Sequence, residues 1–230
     1  MKKSAPIFIA IMGGEGSGKS TQVKRLRERF GDAELVITRE PGGSPYGEVI
    51  RNIILKHEHS GQASGPTQFG LFWAARHDHM KNLILPALER GSHVVTDRFD
   101  CCSYAYQIFG QQAHGLKDLF WSMRDVFLSE KKPDLYIFLD VTPKIGLARV
   151  ASRQMQMIDI NHFDERKIDF HERIRAGYRD FLSHIQEPYA VIDADASLES
   201  VSAQFDKAIS SVLKTRASKV HAPKARISKA

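Results

Sequence analysis

Apolar residues along the chain fall into two alternating rhythms. Short dense runs at 7–12, 34–38, 93–96, 135–139 and 189–192 have strand character, and segments with apolar residues at helical spacing separate them. The helical stretches span about 18–30, 45–57, 66–90, 101–109, 115–130, 143–153, 164–186 and 197–214, with Pro86 near the end of the third, where a kink is tolerated. Residues 58–66 form a polar, glycine-containing connector, and no internal repeat is visible. A strand that is apolar on both faces must be covered on both faces. The pattern therefore predicts an α/β fold, a five-stranded parallel sheet flanked by helices in a three-layer sandwich. Ligands of such sheets gather at the carboxyl ends of the strands, so the residues just after each strand are where chemistry is expected.

The first strand runs into Gly13-Gly14-Glu15-Gly16-Ser17-Gly18-Lys19-Ser20, which fits G-x-x-x-x-G-K-S/T. The helix that follows, beginning near Thr21, carries Val23, Leu26 and Phe30 at helical spacing. Strand before and helix after are the context in which this pattern has physical meaning. Glycines let the backbone curl so that its N–H groups and the helix N-terminus face phosphate oxygens. Lys19, read here as lying in a solvent-facing loop, supplies a point charge on the β- and γ-phosphates, and Ser20 offers a hydroxyl to Mg²⁺. The alternative is a glycine-rich turn with no ligand, against which the register of both Lys19 and Ser20 argues. The expected fold is thus a P-loop sandwich with ATP and Mg²⁺ as cofactors and residues 13–21 around the donor phosphates.

Composition narrows the class. A chain of 230 residues with 42% hydrophobic content is long enough for one substantial core, and one domain over 1–213 is expected. No window approaches the roughly 18 apolar residues of a membrane span, and the first apolar run is too short for a signal peptide, which gives a cytoplasmic expectation. The net charge of +6 suggests nucleic acid until it is located: Lys214, Arg216, Lys219, Lys224, Arg226 and Lys229 account for all of it. Residues 214–230 therefore read as a basic, disordered tail, and the folded part carries no signal for a polymer partner. Cys101 and Cys102 are sequence neighbours, ill placed for a mutual disulfide, and read as reduced and structural, with a reactive thiol as the alternative. The histidines, His77 and His79 among them, show no metal-ligand spacing and are read as ordinary.

The strand ends carry the rest. After the second strand comes Thr38-Arg39-Glu40-Pro41-Gly42-Gly43-Ser44-Pro45-Tyr46-Gly47-Glu48, followed closely by Arg51. After the third comes Asp97-Arg98-Phe99-Asp100-Cys101-Cys102-Ser103-Tyr104-Ala105-Tyr106-Gln107, and between them lies Leu71-Phe72-Trp73-Ala74-Ala75-Arg76. The stretch from Leu139 to Arg149 follows the fourth strand. Arg51 and Arg98 can each fork to a phosphate where a lysine gives a point charge, with a structural ion pair as the alternative. Asp97 ends an apolar strand, a place for a Mg²⁺-organising carboxylate or a helix cap. Phe72 and Arg76 are four apart and share a helix face, so a ring and a guanidinium can meet one base; on spacing alone a core Phe is the other reading.

With the phosphate loop, these motifs in this order resemble the thymidylate kinases over residues 6–213. The resemblance implies ATP + dTMP → ADP + dTDP with Mg²⁺ and a homodimer formed through the sheet-flanking helices. It places Arg51 and Arg98 at the acceptor phosphate, with Arg39 and the Pro41 loop beside them, and Asp97 near the transferred phosphoryl group. It places Phe72 on the thymine ring and Arg76 on a base carbonyl, with Ser103 and Gln107 as further base contacts. Tyr106 corresponds to the tyrosine that crowds the sugar 2′ position, and Glu15 to the carboxylate that holds the 3′-hydroxyl. A short LID is expected at about 153–163, with Arg153 as its transition-state arginine and Arg149 near the ATP base. The chain departs from the family at Met12, where glutamate is usual, and at Asn161-His162-Phe163-Asp164. Some members also carry an arginine directly after the loop's acidic residue, where this chain has Gly16. Rival classes are another nucleoside monophosphate kinase, a catalytically silent nucleotide binder, and a GTPase or transport ATPase, for which the N-K-x-D and L-S-G-G-Q signatures are absent.

Overall fold

The computed structural model describes residues 5–30, 34–154 and 167–220. Five strands, β1 (Phe8–Gly13), β2 (Leu35–Arg39), β3 (His93–Asp97), β4 (Leu135–Asp140) and β5 (Tyr189–Asp193), form one parallel sheet in the order β2-β3-β1-β4-β5. Each lies within about a residue of its expected place because the apolar runs stop where the functional loops begin. Alternation along β1 sends Phe8, Ala10 and Met12 to one face and Ile7, Ile9 and Ile11 to the other, and all six are buried. The first face packs against an aromatic layer of Trp73, Phe99, Tyr104, Phe120, Tyr178 and Phe181. The second packs against Leu26 of α1 (Lys19–Phe30) and Val201, Phe205 and Ile209 of α9 (Leu198–Val220).

On the aromatic side lie α2 (Pro45–Leu55), α3 (Gly65–His79), α4 (Leu85–Glu89), α5 (Asp100–Ser103), α6 (Lys117–Phe127) and α8 (Ile168–His184), while α7 (Pro143–Gln154) follows β4. The stretch read as one helix over 66–90 is interrupted by a π turn, Met80–Ile84, in which the Leu85 N–H reaches the Met80 carbonyl. Pro86 has no N–H for the ordinary ladder, and the widened turn takes up the change. A second π segment, Tyr104–Gly110, continues α5, where the sequence pattern had suggested one regular helix. The last helix runs to Val220, past the point where the sequence reading ended the domain, so 214–220 is helical rather than part of a disordered tail. Residues 221–230 and the expected LID beyond 154, including Asn161-His162-Phe163-Asp164, lie outside the described residues.

The register of the sheet sets the site. Asp97 is level with Ile11 on one side and Arg39 on the other, and the ladder continues one step into the loops. The Arg98 N–H donates to the Ile11 carbonyl (2.9 Å) and the Glu40 N–H to the Asp97 carbonyl (2.9 Å). The phosphate loop, the Glu40 loop and the Arg98 loop therefore leave the sheet side by side.

Candidate active site

The phosphate loop closes on itself through Lys19. This first residue of α1 is buried, not solvent-facing as expected: its Nζ donates to the carbonyls of Gly13 (3.0 Å) and Gly14 (2.9 Å) and to Ser17 Oγ (3.3 Å). Burial lowers its pKa and Arg98 adds repulsion, against the pull of Asp97 and Glu15. Ser20 and Thr21 open the helix in exposed positions. Gly16 has φ +68°, and a Cβ there would collide with the carbonyl of Gly146 in α7. Only glycine fits, which gives a physical reason for the missing loop arginine.

A cavity of about 220 Å³ opens beside the loop, lined by Glu15, Pro41, Arg51, Phe72, Arg76, Arg98 and Tyr106 of the predicted set. Glu40, Leu55, Phe99 and Cys102 complete it and were not assigned a role from the sequence. Arg76 is 1% exposed. Its Nε donates to Glu40 Oε2 (2.9 Å), and its Nη2 donates to the Phe99 carbonyl (3.1 Å) and Ser103 Oγ (3.0 Å). Its Nη1 has no partner among the described residues. The other Glu40 oxygen lies 3.2 Å from His79 Nδ1, and His79 Nε2 lies 2.7 Å from Thr38 Oγ1. His79 is therefore not an ordinary histidine: it is fully buried and backs the carboxylate that orients Arg76. The signal was present in the spacing, since His79 follows Arg76 by three on α3 and Thr38 and Glu40 share one face of the β2 end.

Opposite, three charged loops meet. Arg98 sits at φ +70°, an unusual backbone for a residue with a Cβ. Its Nη2 donates to Glu15 Oε1 (2.5 Å) and its Nη1 to the Tyr106 hydroxyl (2.9 Å), which itself donates to Glu15 Oε1 (2.8 Å). Burial works against the Glu15 charge, but Arg98 and Lys19 outweigh it and hold the carboxyl at about 2. Arg51 donates to the Pro41 carbonyl (2.7 Å), and its pKa is lowered by burial and by repulsion from Arg39 and Arg98. That repulsion marks a place short of negative charge. Asp97 Oδ1 is buried with no partner among the described residues.

The structure does not bring every predicted residue to the cavity. Arg39 is exposed, held by Glu48 (3.1 Å), and lines no wall of it. Ser103 stands behind Arg76 as its acceptor, and Gln107 is fully buried with neither amide atom partnered among the described residues; neither lines the cavity. On the other side of the loop a second cavity, about 360 Å³, is lined by Gly16, Ser17, Gly18 and Thr21 together with Arg149, Ser152 and Leu198. Arg149 donates to the Ala194 carbonyl (2.7 Å) and more weakly to that of Gly16 (3.4 Å). Arg153 falls in the last turn of α7, and its side chain is outside the described residues.

A phosphate loop with a cavity on either side, one of them walled by a ring, a half-satisfied guanidinium and clustered arginines, defines a P-loop phosphotransferase acting on a small phosphorylated substrate. The thymidylate kinase family model matches residues 11–205. The chain is 40% identical to a thymidylate kinase of Nitrobacter winogradskyi over 220 residues, covering 92% of this chain and 94% of that one. It is also 40% identical to one of Rhodopseudomonas palustris strain BisB18 over 204 residues, 88% of this chain and 87% of that one. The crystal structure of thymidylate kinase from Ehrlichia chaffeensis superposes with a TM-score of 0.68 at 26% identity, covering 90% of this chain and 99% of that one. The chain belongs to the thymidylate kinase family, and it is a nucleoside monophosphate kinase.

The Glu15 geometry fixes a pH signature. Its folded pKa lies below the ordinary 4.5, so its stabilisation is complete above 4.5 and is lost as pH falls toward about 2. Glu15→Gln should be less stable than wild type at neutral pH, because Arg98 then lacks its buried partner. In denaturant titrations that deficit should shrink steadily from pH 4.5 to about 2; a constant gap would mean Glu15 is not the titrating group.

Proposed function

We propose that the protein transfers the γ-phosphoryl group of ATP to dTMP, giving dTDP and ADP for dTTP synthesis. The observation that carries this reading is Arg76. A guanidinium is a donor only, and this one has no partner for Nη1 among the described residues, at a cavity lined by the Phe72 ring, so it suits a carbonyl oxygen on a flat base. Thymine offers a carbonyl where cytosine offers an amine. Arg51 and Arg98 supply forked donors for the 5′-phosphate, Glu15 accepts from the 3′-hydroxyl, and Tyr106 closes the space a 2′-hydroxyl would need. ATP binds across the loop with Arg149 beside its base. Lys19 leaves its loop carbonyls to meet the β- and γ-phosphates, so that the chain's contribution is alignment and charge neutralisation.

Mg²⁺ fits this donor set. The Asp97 oxygen close to Lys19, without a partner among the described residues, and the exposed Ser20 hydroxyl suit an ion that takes one or two protein oxygens and completes its shell with phosphate and water. Bound there, it would neutralise charge on the transferred phosphoryl group. We assign the activity to one kinase domain, with α9 as its last described helix and a LID at 153–163, acting in the cytoplasm as a homodimer. No described helix is long and apolar enough to cross a membrane. Tyr46, Val49 and Ile53 leave an apolar stripe exposed on α2, which supports a second copy as partner.

An ADP-release assay across dTMP, dUMP, dGMP, dCMP and AMP should give clear preference for dTMP; equal turnover of AMP or dCMP would defeat the reading. Phe72, half-buried against the Ile50 and Ile54 cluster, should contribute to nucleotide binding more than to stability. Phe72→Ala is expected to weaken dTMP binding by about 1–3 kcal/mol in calorimetry, with unfolding energy little changed. A collapse of stability at unchanged affinity would make it a core residue. Arg153→Ala should lower kcat by roughly 10³–10⁵ and leave the KM for dTMP nearly unchanged, as for an arginine engaged only in the transition state. A kcat close to wild type would move that role to Arg149 or Arg166.

A further inference from the structure

Cys102 stands on the wall of the dTMP cavity and has no part in the phosphoryl transfer proposed above. It lies on α5 directly after Cys101, and both are free thiols, but only Cys102 lines the cavity: it is 7% exposed and Cys101 is 0% exposed. Its Sγ is 3.1 Å from the Tyr178 hydroxyl, which in turn lies 3.4 Å from the Gly13 carbonyl oxygen. That arrangement has two complete hydrogen-bonded states. As a thiol, Cys102 donates to the Tyr178 oxygen while Tyr178 donates to Gly13. As a thiolate, Cys102 accepts from Tyr178, and only the longer bond to Gly13 is given up. Burial opposes the thiolate, but hydrogen bonding from Cys101 and Tyr178 and the nearby Arg98 guanidinium favour it, whereas burial and its neighbours push Cys101 the other way. Independently, Arg76 on the same cavity is 1% exposed with Nη1 unsatisfied among the described residues, so the space in front of Cys102 is built for a ligand.

We propose that Cys102 is a thiol–disulfide exchange site whose modification blocks the acceptor cavity, and that dTMP and a small disulfide exclude one another there. The Cys102 thiolate attacks one sulfur of R–S–S–R, a Cys102–S–S–R bond forms as the old S–S bond breaks, and the departing R–S⁻ takes up the proton Cys102 lost. Cys102 is oxidised and half of the reagent is reduced. The adduct fills part of the roughly 220 Å³ that the nucleotide would occupy. This rests on the cavity being the dTMP site.

The test uses the full chain and cystamine as the disulfide, read by intact mass and peptide mapping, with dTMP binding to the unmodified protein measured first by calorimetry. One adduct should form, at Cys102, and be removed by a reducing thiol. With dTMP at ten times its measured Kd the rate should fall about tenfold, since only the free fraction reacts. Tyr178→Phe should slow the adduct without moving it to Cys101. An adduct at Cys101, reaction only after denaturation, or a rate indifferent to bound dTMP would overturn the proposal. Absence of dTMP binding in calorimetry would instead defeat the proposed substrate, while mapping would still decide whether Cys102 is the reactive sulfur.

Discussion

The ion pair between Glu15 and Arg98 is the contact on which both halves of the site depend. It joins the loop after β1 to the loop after β3, and Tyr106 closes the triangle from the following π segment. Holding Arg98 at φ +70° costs on the order of 1–3 kcal/mol, which the surrounding structure has to offset. The strain places the guanidinium between the carboxylate and the cavity rather than out along the strand. Arg98 repels both Lys19 and Arg51, and Glu15 is in direct contact with Arg98. A site with that balance is stable enough to fold and still short of negative charge, the condition for receiving phosphate.

The frame that presents these groups is polar as well as apolar. Beneath α5, the fully buried Asp100 accepts from Arg124 Nε (2.7 Å) and from the Tyr136 hydroxyl (2.8 and 3.0 Å), and Arg124 reaches on to Glu187 (3.1 Å). The network fastens the loop that carries Arg98 and Cys102 to β4 and α6. A buried charge pair satisfied in this way adds little net stability over an apolar core, but losing one member would leave the other stranded. Its effect is to fix one geometry for the loop. On the opposite side the Thr38–His79–Glu40–Arg76 chain does the same for the Arg76 guanidinium on the cavity wall.

Sequence carried the sheet well because each apolar run ends where polar loop residues begin, as at Gly13, Arg39 and Asp97. It carried seven residues of the cavity beside the phosphate loop through local order and family resemblance. What it lacked were directions and contacts across elements. Nothing in the order Ser103-Tyr104-Ala105-Tyr106-Gln107 says that Tyr106 faces the cavity while Ser103 serves Arg76 from behind and Gln107 lies in the interior. Arg39 adjoins the right loop, yet Glu48 draws it outward. Lys19 reads as exposed in a glycine-rich loop, but its Nζ turns inward to the loop's own carbonyls. Glu40, His79, Cys102 and Tyr178 each act through a partner more than thirty residues away; spacing could group His79 with Arg76 and Thr38 with Glu40, but not join the two pairs, nor Cys102 to Tyr178.

Helix α7 ties these points to the missing loop arginine. Its Gly146 comes so close to the phosphate loop that a Cβ on either glycine would strike the other's backbone region, at the Gly146 carbonyl or at that of Glu15. An arginine at position 16 would therefore displace α7 as well as strain a left-handed backbone. The same helix carries Arg149 and, one turn further on in sequence, Arg153, so the element that excludes a guanidinium from the loop brings the Arg149 guanidinium to its rim, 3.4 Å from the Gly16 carbonyl. Arg149 is committed to the Ala194 carbonyl and the rim of the second cavity. Arg153, four residues further along the chain, is the arginine to which the proposed mechanism gives the transferred phosphoryl group.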